Sequence, residues 1–370
     1  MKINLKAEIT ISLCMIVKDE ENVIARCLDT VKDIVDEIII VDTGSTDSTK
    51  EIVSRYTDRI FDFLWIDDFA AARNYAFSQA TMEYILWLDA DDVILPEDQQ
   101  KILELKITLD TSVDAVNMHY VLAYDQYGSA TFSLRRNRLV KTSRRFQWVG
   151  AVHEYIEVYG VVQNSDIVIT HKGDQRETDR NLRIYENRLA KGEEFGSRDL
   201  YYYANELFEH QQYVKAIEFY RKFLALEEGW VEDKISACGK LADCFYALGN
   251  PTEGRISLLT SFNYDSPRAE VCCRLGYQNL QADKYKQAIF WYNLATQLEN
   301  PIECWGPINH AYWTWLPHLQ LCVCYDRLGQ YEQAYKHNER ALTFIPDDPR
   351  VLHNKRYLEN KLGITGLPKK

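Results

Sequence analysis

Three carboxylates follow the apolar run YILWL at residues 84–88: Asp89, Asp91 and Asp92. Such a run is typical of a buried strand, and two acids separated by one residue face the same side when the chain stays extended. Carboxylates this close repel one another and lose hydration unless a cation or hydrogen-bond donors compensate them. Mn²⁺ or Mg²⁺ would do so, because hard divalent ions bind carboxylates, phosphates and water. The alternative for an isolated Asp-x-Asp is an acidic loop or a helix cap, and we expect Asp92 to cap the turn before Pro96.

Two further polar side chains are predicted to reach the same region. Asp42 ends the run EIIIVD and is followed by Gly44, which suits a tight turn. A carboxylate there can accept hydrogen bonds from a nucleobase or a ribose hydroxyl, and an ordinary helix cap is the alternative. Arg73 lies in the predicted helix FAAARNYAF and could reach the base or the phosphates of a nucleotide. Its alternative is a salt bridge to Asp67 or Asp68.

The elements that must position these groups alternate along roughly the first 172 residues. Short β-branched or aromatic runs alternate with segments whose apolar residues have helical spacing. This alternation predicts an α/β domain with a parallel sheet, helices on both faces and right-handed crossovers. Ligands of such sheets bind beyond the carboxyl ends of the strands, where Asp42 and Asp89 are predicted to lie.

Four motifs together resemble the family 2 inverting glycosyltransferases, whose fold is called GT-A: MIVKDEEN, VDTGSTD, FAAARN and WLDADD. The resemblance covers about the first 170 to 195 residues, with the motifs in the family's order and at its intervals. It implies a Rossmann-like nucleotide-binding mixed sheet and a UDP-sugar as donor substrate. It also implies positions around the donor: Val17 and Lys18 beside the base, Asp42 on uracil or ribose, Asp89 near ribose or metal, and Asp91 on the metal.

An inverting transfer also needs a base that removes the proton of the acceptor while the nucleotide leaves from the opposite face of the sugar. Many family members have a Glu-Asp or related pair where RFQWVGAVHEYIEV here has Val-His-Glu. By that match the candidate base is Glu154, with His153 as its neighbour or alternative. A buried Glu154 paired with Arg144 or Arg145 is the purely structural interpretation.

Other polar residues late in the domain extend this prediction. His171 ends a strand in VITHKG and could be a metal ligand, as a late His is in some GT-A enzymes; a hydrogen-bonded structural histidine is an equal alternative. In SLRRNRLVK, Arg135, Arg136 and Arg138 could face the diphosphate or the acceptor. At least one of the three should point away, because side chains alternate along a strand.

After about residue 196 the strands give way to a repeat. The segments HQQYVKA, LGNPTEG, ADKYKQA and LGQYEQA close on small residues at positions 216, 254, 288 and 334, which are 38, 34 and 46 residues apart. These intervals are close to the ~34-residue period of tetratricopeptide repeats, which the segments resemble. The longest interval contains an insertion in which Trp305 is the candidate for an exposed contact. We predict a GT-A domain at 1–195 and an all-α repeat domain at 196–370.

The layout resembles that of the cytoplasmic peptide glycosyltransferases that modify Cys or Ser of bacteriocin precursors, in which helical repeats follow the catalytic domain. This implies metal-dependent transfer of glucose, N-acetylglucosamine or a related sugar to a hydroxyl or thiol. A peptide or protein acceptor would lie on the concave face of the repeats. The alternatives are a homodimer formed through the repeats and a glycan or cell-envelope acceptor, which is common in family 2.

Two rival functions are less consistent with the motifs. A catalytically inactive scaffold whose repeats recruit protein partners would have no need for clustered acids that repel one another. A nucleotidyltransferase would carry a Gly-rich, basic phosphate-binding loop near the first strand, and MIVKDEEN has no glycine.

Bulk composition narrows the class of protein. The 370-residue chain has a formal net charge of -12, which opposes binding of nucleic acid, because such binding relies on Lys and Arg to neutralise phosphates. No apolar run approaches the ~20 residues that span a bilayer, and the N-terminal sequence lacks the features of a signal peptide. The 9 scattered cysteines are expected to be reduced core thiols. We therefore expect a cytoplasmic protein without a membrane span.

Overall fold

The computed structural model of the chain describes residues 8–126, 128–173, 179–299 and 306–364. Trp305, the predicted exposed contact, lies outside these residues. Within the described ranges, no helix combines the length and the apolar composition that crossing a membrane requires. The cysteines in these ranges are all buried and unbridged, as expected for core thiols.

The chain divides into two units. The first unit comprises the residues up to Glu194 and the short segment Cys304–Ile308. The second unit comprises Phe195–Glu303 and Asn309–Lys370. The first unit is an α/β fold with a mixed sheet and the second is built from paired helices, which confirms the predicted fold class.

The strands of the first unit follow the predicted apolar runs and continue beyond them: β1 (Ile11–Val17), β2 (Glu37–Asp42), β3 (Ile60–Asp62), β4 (Tyr84–Trp87), β5 (Asp92–Val93), β6 (Ala115–Tyr124), β7 (Ala130–Lys141), β8 (Trp148–Val149), β9 (Tyr155–Ile156) and β10 (Val162–His171). The main sheet has the order β3-β2-β1-β4-β7-β6-β10-β5, and β8 pairs separately with β9.

The sheet is parallel only in part. Strands β3, β2, β1 and β4 are mutually parallel, as their alternation with helices predicts. Strand β7 is antiparallel to both β4 and β6, and β5 is antiparallel to β10. The parallel sheet expected from the alternation therefore holds for β3, β2, β1 and β4, strand β10 is parallel to β6, and the mixed sheet implied by the family resemblance is confirmed. The connection between β6 and β7 is too short for a crossover, so these two strands can pair only as an antiparallel hairpin.

Helices cover both faces of this sheet: α1 (Ile24–Val31), α2 (Thr49–Val53), α3 (Phe69–Ser78) and α4 (Pro96–Thr108), with α5 (Arg180–Ala190) at the end of the unit. Strand β1 is buried along nearly all its length, and its residues alternate between two cores. Leu13 and Met15 pack in the core that contains α1 and α4, whereas Cys14 packs in the core that contains α3. Packing of helices on both faces of the sheet fixes the carboxyl ends of β1, β2 and β4 side by side, with Val17 in register with Asp42.

In its described residues, the second unit has four helix pairs and a final single helix: α6 (Ser197–Glu209) with α7 (Tyr213–Leu224), α8 (Val231–Ala247) with α9 (Pro251–Thr260), α10 (Ala269–Gln281) with α11 (Tyr285–Ala295), α12 (Trp315–Arg327) with α13 (Tyr331–Leu342), and α14 (Pro349–Leu362). A short strand, β11 (Ile308–Asn309), precedes α12. The small residues predicted to anchor the repeats are all buried in the second helix of a pair: Ala216, Gly254, Ala288 and Ala334. Their size lets paired helices approach closely.

Candidate active site

A cavity of about 430 Å³ opens at the carboxyl ends of β1 and β4. Among the residues that line it are eight of the nine predicted from sequence: Val17, Lys18, Arg73, Asp89, Asp91, His153, Glu154 and His171. The ninth, Asp42, is not part of the lining, although its neighbour Thr43 is. We call this space the strand-end cavity.

Arg73 joins two predicted site carboxylates. Its Nε donates to Glu154 Oε1 at 2.6 Å, and its Nη2 donates to Asp89 Oδ1 at 2.7 Å. The two aspartates that the sequence offered as alternative partners of Arg73 form other hydrogen bonds: Asp68 caps α3, and Asp67 accepts from an indole N–H. One buried guanidinium therefore ties the loop after β4 to the segment before β9.

The positive charge of Arg73 and the negative charges of Asp89 and Glu154 stabilise each other. Burial opposes the charged form of Arg73, but Asp89 and Glu154 outweigh it and raise the pKa of the guanidinium. Burial likewise opposes ionisation of Asp89, but Arg73 and Arg138 hold the pKa of this carboxyl below its usual value. Glu154 is paired with Arg73 rather than with Arg144, whose guanidinium lies beside Asp114.

Aromatic rings hold Arg73 in place. Its guanidinium carbon lies 5.1 Å from the ring centroid of Trp87 and 4.8 Å from that of Trp148, and the two indoles pack edge to face. Asn74, the next residue of the FAAARN motif, exchanges two hydrogen bonds with the backbone of Trp148, at 2.8 and 2.9 Å. The Arg-Asn pair of that motif thus has divided roles: Arg73 faces the cavity and Asn74 fixes β8.

Glu154 follows a strained turn between β8 and β9. His153 has a φ of 52°, in the left-handed region that a residue with a side chain rarely adopts. Gly150, at the start of the same turn, has a φ of 100°. The turn brings the side chains of both His153 and Glu154 to the wall of the strand-end cavity.

Asp91, Asp92 and His171 form a cluster with the spacing of a metal site. Their ligand atoms lie within 4.8 Å of one another, and His171 Nδ1 is 3.3 Å from Asp91 Oδ1. Two carboxylates and an imidazole suit Mn²⁺ well and Mg²⁺ acceptably. Hydrogen bonds to Asp91 and Asp92 raise the pKa of His171 to about 10, so the same acids that favour a proton here would favour a cation. Asp89, predicted as a metal neighbour, accepts from Arg73 through its Oδ1.

The third acid does not cap the turn before Pro96. Leu95 occupies the N-cap of α4, and Asp92 is fully buried, where it pairs with Arg138. The alternation expected for SLRRNRLVK holds: Arg136 lines the strand-end cavity, Arg138 lies buried beneath it, and Arg135 bonds to Asn117. Of these three arginines, only Arg136 is therefore placed to meet a ligand.

Asp42 closes a turn. Its Oδ1 accepts from the backbone N–H groups of Gly44 and Ser45 at 2.9 and 3.0 Å, which is an Asx turn and not a helix cap, because the N-cap of α2 is Ser48. Its Oδ2 is buried and has no hydrogen-bond partner among the described residues. The turn also bonds to the loop after β1, since the N–H of Asp19 donates to Ser45 Oγ at 3.0 Å. The motifs MIVKDEEN and VDTGSTD therefore stabilise each other at the edge of the cavity.

Several cavity residues are absent from the sequence prediction. Trp87, Trp148 and Tyr120 line the cavity, as do Arg180 and Arg183 from the start of α5. The alternation of side chains along a strand could have identified Arg136 as a cavity residue. No sequence pattern in the linking helix indicates that Arg180 and Arg183 reach the strand-end cavity. In all, the lining contains five Lys or Arg and four Asp or Glu side chains. The cavity is thus locally cationic in a chain whose net charge is -12.

Comparisons with known proteins relate the first unit to glycosyltransferases. Residues 12–167 match the model of Glycosyl transferase family 2, so the first unit carries a domain of that family. The glycosyltransferase SunS of Bacillus subtilis, described as derived from the SPbeta prophage, is 29% identical over 227 residues, which is 58% of this chain and 53% of SunS. An uncharacterized glycosyltransferase of Rickettsia typhi is 35% identical over 92 residues, 25% of this chain and 31% of that protein.

A TPR repeat-containing protein of Synechococcus elongatus is 38% identical over 147 residues, 40% of this chain and 35% of that protein. The chain therefore spans about a third to a half of the length of the curated relatives it matches.

Among solved structures, the crystal structure of MamA aligns at 22% identity and a TM-score of 0.36, over 44% of this chain and 85% of MamA. A tetratricopeptide repeat protein from Parabacteroides merdae aligns at 11% identity and a TM-score of 0.39, over 50% of this chain and 66% of that protein.

Proposed function

We propose that the chain is an inverting, metal-dependent glycosyltransferase that moves a hexose or N-acetylhexosamine from a UDP-sugar to a hydroxyl or thiol. The acceptor is a peptide or protein held by the helical repeats. The observation that carries the proposal is the Arg73 bridge, which holds Asp89 and Glu154 in one cavity with Asp91 and His171. Family 2 membership of the first unit makes sugar transfer the class of reaction.

The donor would lie in the strand-end cavity. Val17 and Lys18 would border its base, and the cationic excess of the lining suits an anionic diphosphate. Arg136 and Arg183, which reach the cavity from β7 and α5, are the side chains that would bind it. Asp42 would contribute through its buried, unpartnered Oδ2 once the turn around it adjusts.

A divalent cation would be held by Asp91 and His171, with Asp92 Oδ1 behind them and Asp89 at the border with the ribose. When bound, Mn²⁺ or Mg²⁺ would offset the charge that develops on the departing diphosphate. Asp92 Oδ1 supports this assignment, because it is buried and lies 3.9 Å from His171 Nδ1, beside the groups that would hold the cation.

Glu154 would act as the base. Its Oε1 is held by Arg73, which leaves Oε2 to take the proton of the acceptor as the new bond forms at the anomeric carbon and the bond to UDP breaks. Arg73 fixes the direction of the carboxylate, so the base is positioned before the acceptor arrives. His153 is the second proton acceptor in the same turn.

A screen of UDP-sugars tests the proposal. The purified full chain is melted with UDP-glucose, UDP-N-acetylglucosamine or UDP-galactose, each with and without Mn²⁺ or Mg²⁺, and UDP release is followed for every pair. At least one donor should raise the melting temperature in a cation-dependent way, because it binds only the folded state. Failure of every donor to protect the chain or release UDP would favour the inactive scaffold.

Asp91→Asn should abolish cation-dependent UDP release and leave cooperative melting intact. Asp33→Asn is the matched control, because Asp33 is exposed and does not line the strand-end cavity. Equal release by wild type and Asp91→Asn would remove Asp91 from the metal site.

A further inference from the structure

Gly173, the second residue after β10, lies against the candidate cation site without offering a ligand to it. A Cβ added to this residue would lie 2.7 Å from Cε1 and 2.9 Å from Nε2 of His171, and closer still to Asp91 Oδ2. Ordinary contacts between carbon atoms begin at ~3.5 Å. The space that a side chain at position 173 would need is therefore already occupied by two of the side chains that would hold the cation.

The space around Gly173, and not its φ angle, explains the glycine. Gly173 does not have a positive φ, so its φ angle does not exclude an alanine. Gly44 and Gly150, which follow β2 and β8, have φ of 106° and 100°, and there the backbone itself favours glycine. At Gly173 the requirement comes instead from the neighbouring side chains.

Strand pairing brings the cation ligands and Gly173 together. Strand β10 is antiparallel to β5, and this pairing places His171 in register with Asp92. The pairing continues by one residue, because the N–H of Lys172 donates to the backbone oxygen of Asp91 at 2.9 Å. Gly173 is thereby placed beside the side chain of Asp91.

Arg26 fixes the other side of the same residue. This exposed arginine of α1 donates from its Nη2 to the carbonyl oxygen of Lys172 at 2.6 Å. The opposite face of α1 is buried, so the guanidinium extends from an anchored helix. Both backbone groups of Lys172 are therefore bonded, and Gly173 cannot move away from Asp91 without breaking one of these bonds.

The atoms that an added Cβ would meet are the ends of two side chains, and none of them belongs to the backbone. Asp91 and His171 are 29% and 30% exposed, so both can rotate away from a new methyl group at little cost in stability. Rotation would separate their ligand atoms, which now lie with that of Asp92 within 4.8 Å of one another. A methyl group at position 173 should therefore disturb cation binding and leave the fold intact.

We propose that Gly173 and Arg26 are positioning residues of the cation site. Gly173 leaves the space in which Asp91 and His171 approach each other, and Arg26 holds the backbone that keeps this space in place. Neither residue lines the strand-end cavity, so both act through the ligands. The inference rests on the proposed function, because the cation concerned is the one that would be bound together with the UDP-sugar.

Binding of Mn²⁺ to the full chain tests the proposal without requiring turnover. The paramagnetic resonance signal of free Mn²⁺ disappears when the ion binds, so titrations with and without UDP give its affinity. Gly173→Ala should weaken Mn²⁺ binding about 10- to 100-fold, as changes to residues that orient metal ligands do. The melting temperature of the cation-free variant should equal that of the wild type. A purely structural glycine would show the reverse pattern, with a lower melting temperature and unchanged affinity.

Gly239→Ala is the matched control. Gly239 lies inside α8, and the nearest atom that an added Cβ would meet there is 3.7 Å away, which is an ordinary contact. This variant should bind Mn²⁺ with the affinity of the wild type.

Arg26→Met tests the second positioning residue. It should weaken Mn²⁺ binding about three- to tenfold, because it removes the bond to the carbonyl of Lys172 and leaves the bond of its N–H in place. Arg55→Met is the control, since Arg55 is an exposed arginine paired with Glu51. It should leave the affinity unchanged.

The outcomes separate the positioning role from the proposed function. Weaker Mn²⁺ binding by Gly173→Ala and Arg26→Met, with unchanged melting and unchanged controls, supports the inference. Wild-type affinity in Gly173→Ala overturns the inference and keeps the proposed function, and a lower melting temperature of that variant without cation also overturns it. Cation-independent UDP release by a wild type that binds no Mn²⁺ overturns both the inference and the metal dependence. Mn²⁺ binding that Gly173→Ala weakens, in a chain that releases no UDP from any donor, would keep the inference and overturn the proposed transfer.

Discussion

Arg138 and Asp92 form an ion pair in which neither side chain is exposed, with 3.0 Å between Arg138 Nη1 and Asp92 Oδ2. The same carboxylate oxygen accepts from the backbone N–H of Asp89 at 3.0 Å. Rings enclose the guanidinium, whose carbon lies 3.8 Å from the centroid of Trp87 and 4.3 Å from that of Tyr120. The third acid of the DADD segment therefore supports the first from below, and does not itself line the strand-end cavity.

Arg138→Met should destabilise the first unit by about 3–5 kcal/mol, because it leaves Asp92 charged and buried without its partner. A fall in melting temperature of roughly 10 °C corresponds to a loss of this size. The double variant Arg138→Met with Asp92→Asn should recover part of it. Arg136→Met is the control on the same strand, since Arg136 lines the cavity. Equal destabilisation by the two methionines would contradict the proposed role of the buried pair.

Glu154→Gln should slow UDP release by about 10²–10⁴-fold and leave protection by the UDP-sugar intact, because the amide cannot accept the proton. The substitution keeps the shape of the side chain, and its amide oxygen can still accept from Arg73. Glu157→Gln is the matched control, since Glu157 is exposed and absent from the lining of the strand-end cavity. Near-normal release by Glu154→Gln would transfer the role of base to His153 or to another group.

Sequence reasoning predicts which residues meet at the strand ends better than it predicts their bonds. Val17 and Asp89 are brought to one cavity because parallel strands end at the same edge of the sheet. The bond from Arg73 to Glu154 joins residues 81 positions apart, and its partner choice depends on the turn at His153. No local pattern contains that information, so the nearby Asp67 and Asp68 were the natural expectation.

Burial explains the other differences. An aspartate at the position of Asp92 is typical of a turn cap. Arg138 lies next to it only because β7 pairs antiparallel with β4. That pairing follows from a hairpin between two long strands, which strand-helix alternation does not indicate. The repeats are easier to predict, because each helix pair packs mainly on its neighbours and the same pattern therefore recurs along the sequence at a regular interval.

Gln211→Gly should stabilise the repeat unit by about 0.5–1 kcal/mol. Gln211 has a φ of 58° at the end of α6, and the corresponding residues after α8 and α12 are Gly249 and Gly329, with φ of 74° and 71°. A glycine adopts this left-handed conformation without the clash that a Cβ causes. Thermal melting measures the gain, and Gly249→Ala, the reciprocal change, should lower the melting temperature. A lower melting temperature for Gln211→Gly would show that the glutamine side chain contributes more than the conformation costs.

The repeat unit should lose stability as the pH falls from about 6.5 to about 4, because of a pair of stacked histidines. His318 Nδ1 and His337 Nδ1 are 3.1 Å apart, so one ring donates a hydrogen bond and the other accepts it. Burial, with the nearby His337 and Arg340, lowers the pKa of His318 to about 4. Burial also lowers the pKa of His337.

The sign follows from linkage: the unfolded chain binds a proton near pH 6.5 and the folded chain only near pH 4, so acid favours unfolding within that window. The free energy of unfolding should fall by about 2–3 kcal/mol near pH 4, and it should be unaffected above the pKa of this histidine in the unfolded chain. His318→Gln should remove most of this pH dependence, whereas His353→Gln, at an exposed histidine of α14, should keep it. Melting curves between pH 7.5 and 4.5 measure the difference, in which the titrations of all other groups cancel. Parallel curves for wild type and His318→Gln would mean that the stacked pair is not the source of the acid sensitivity.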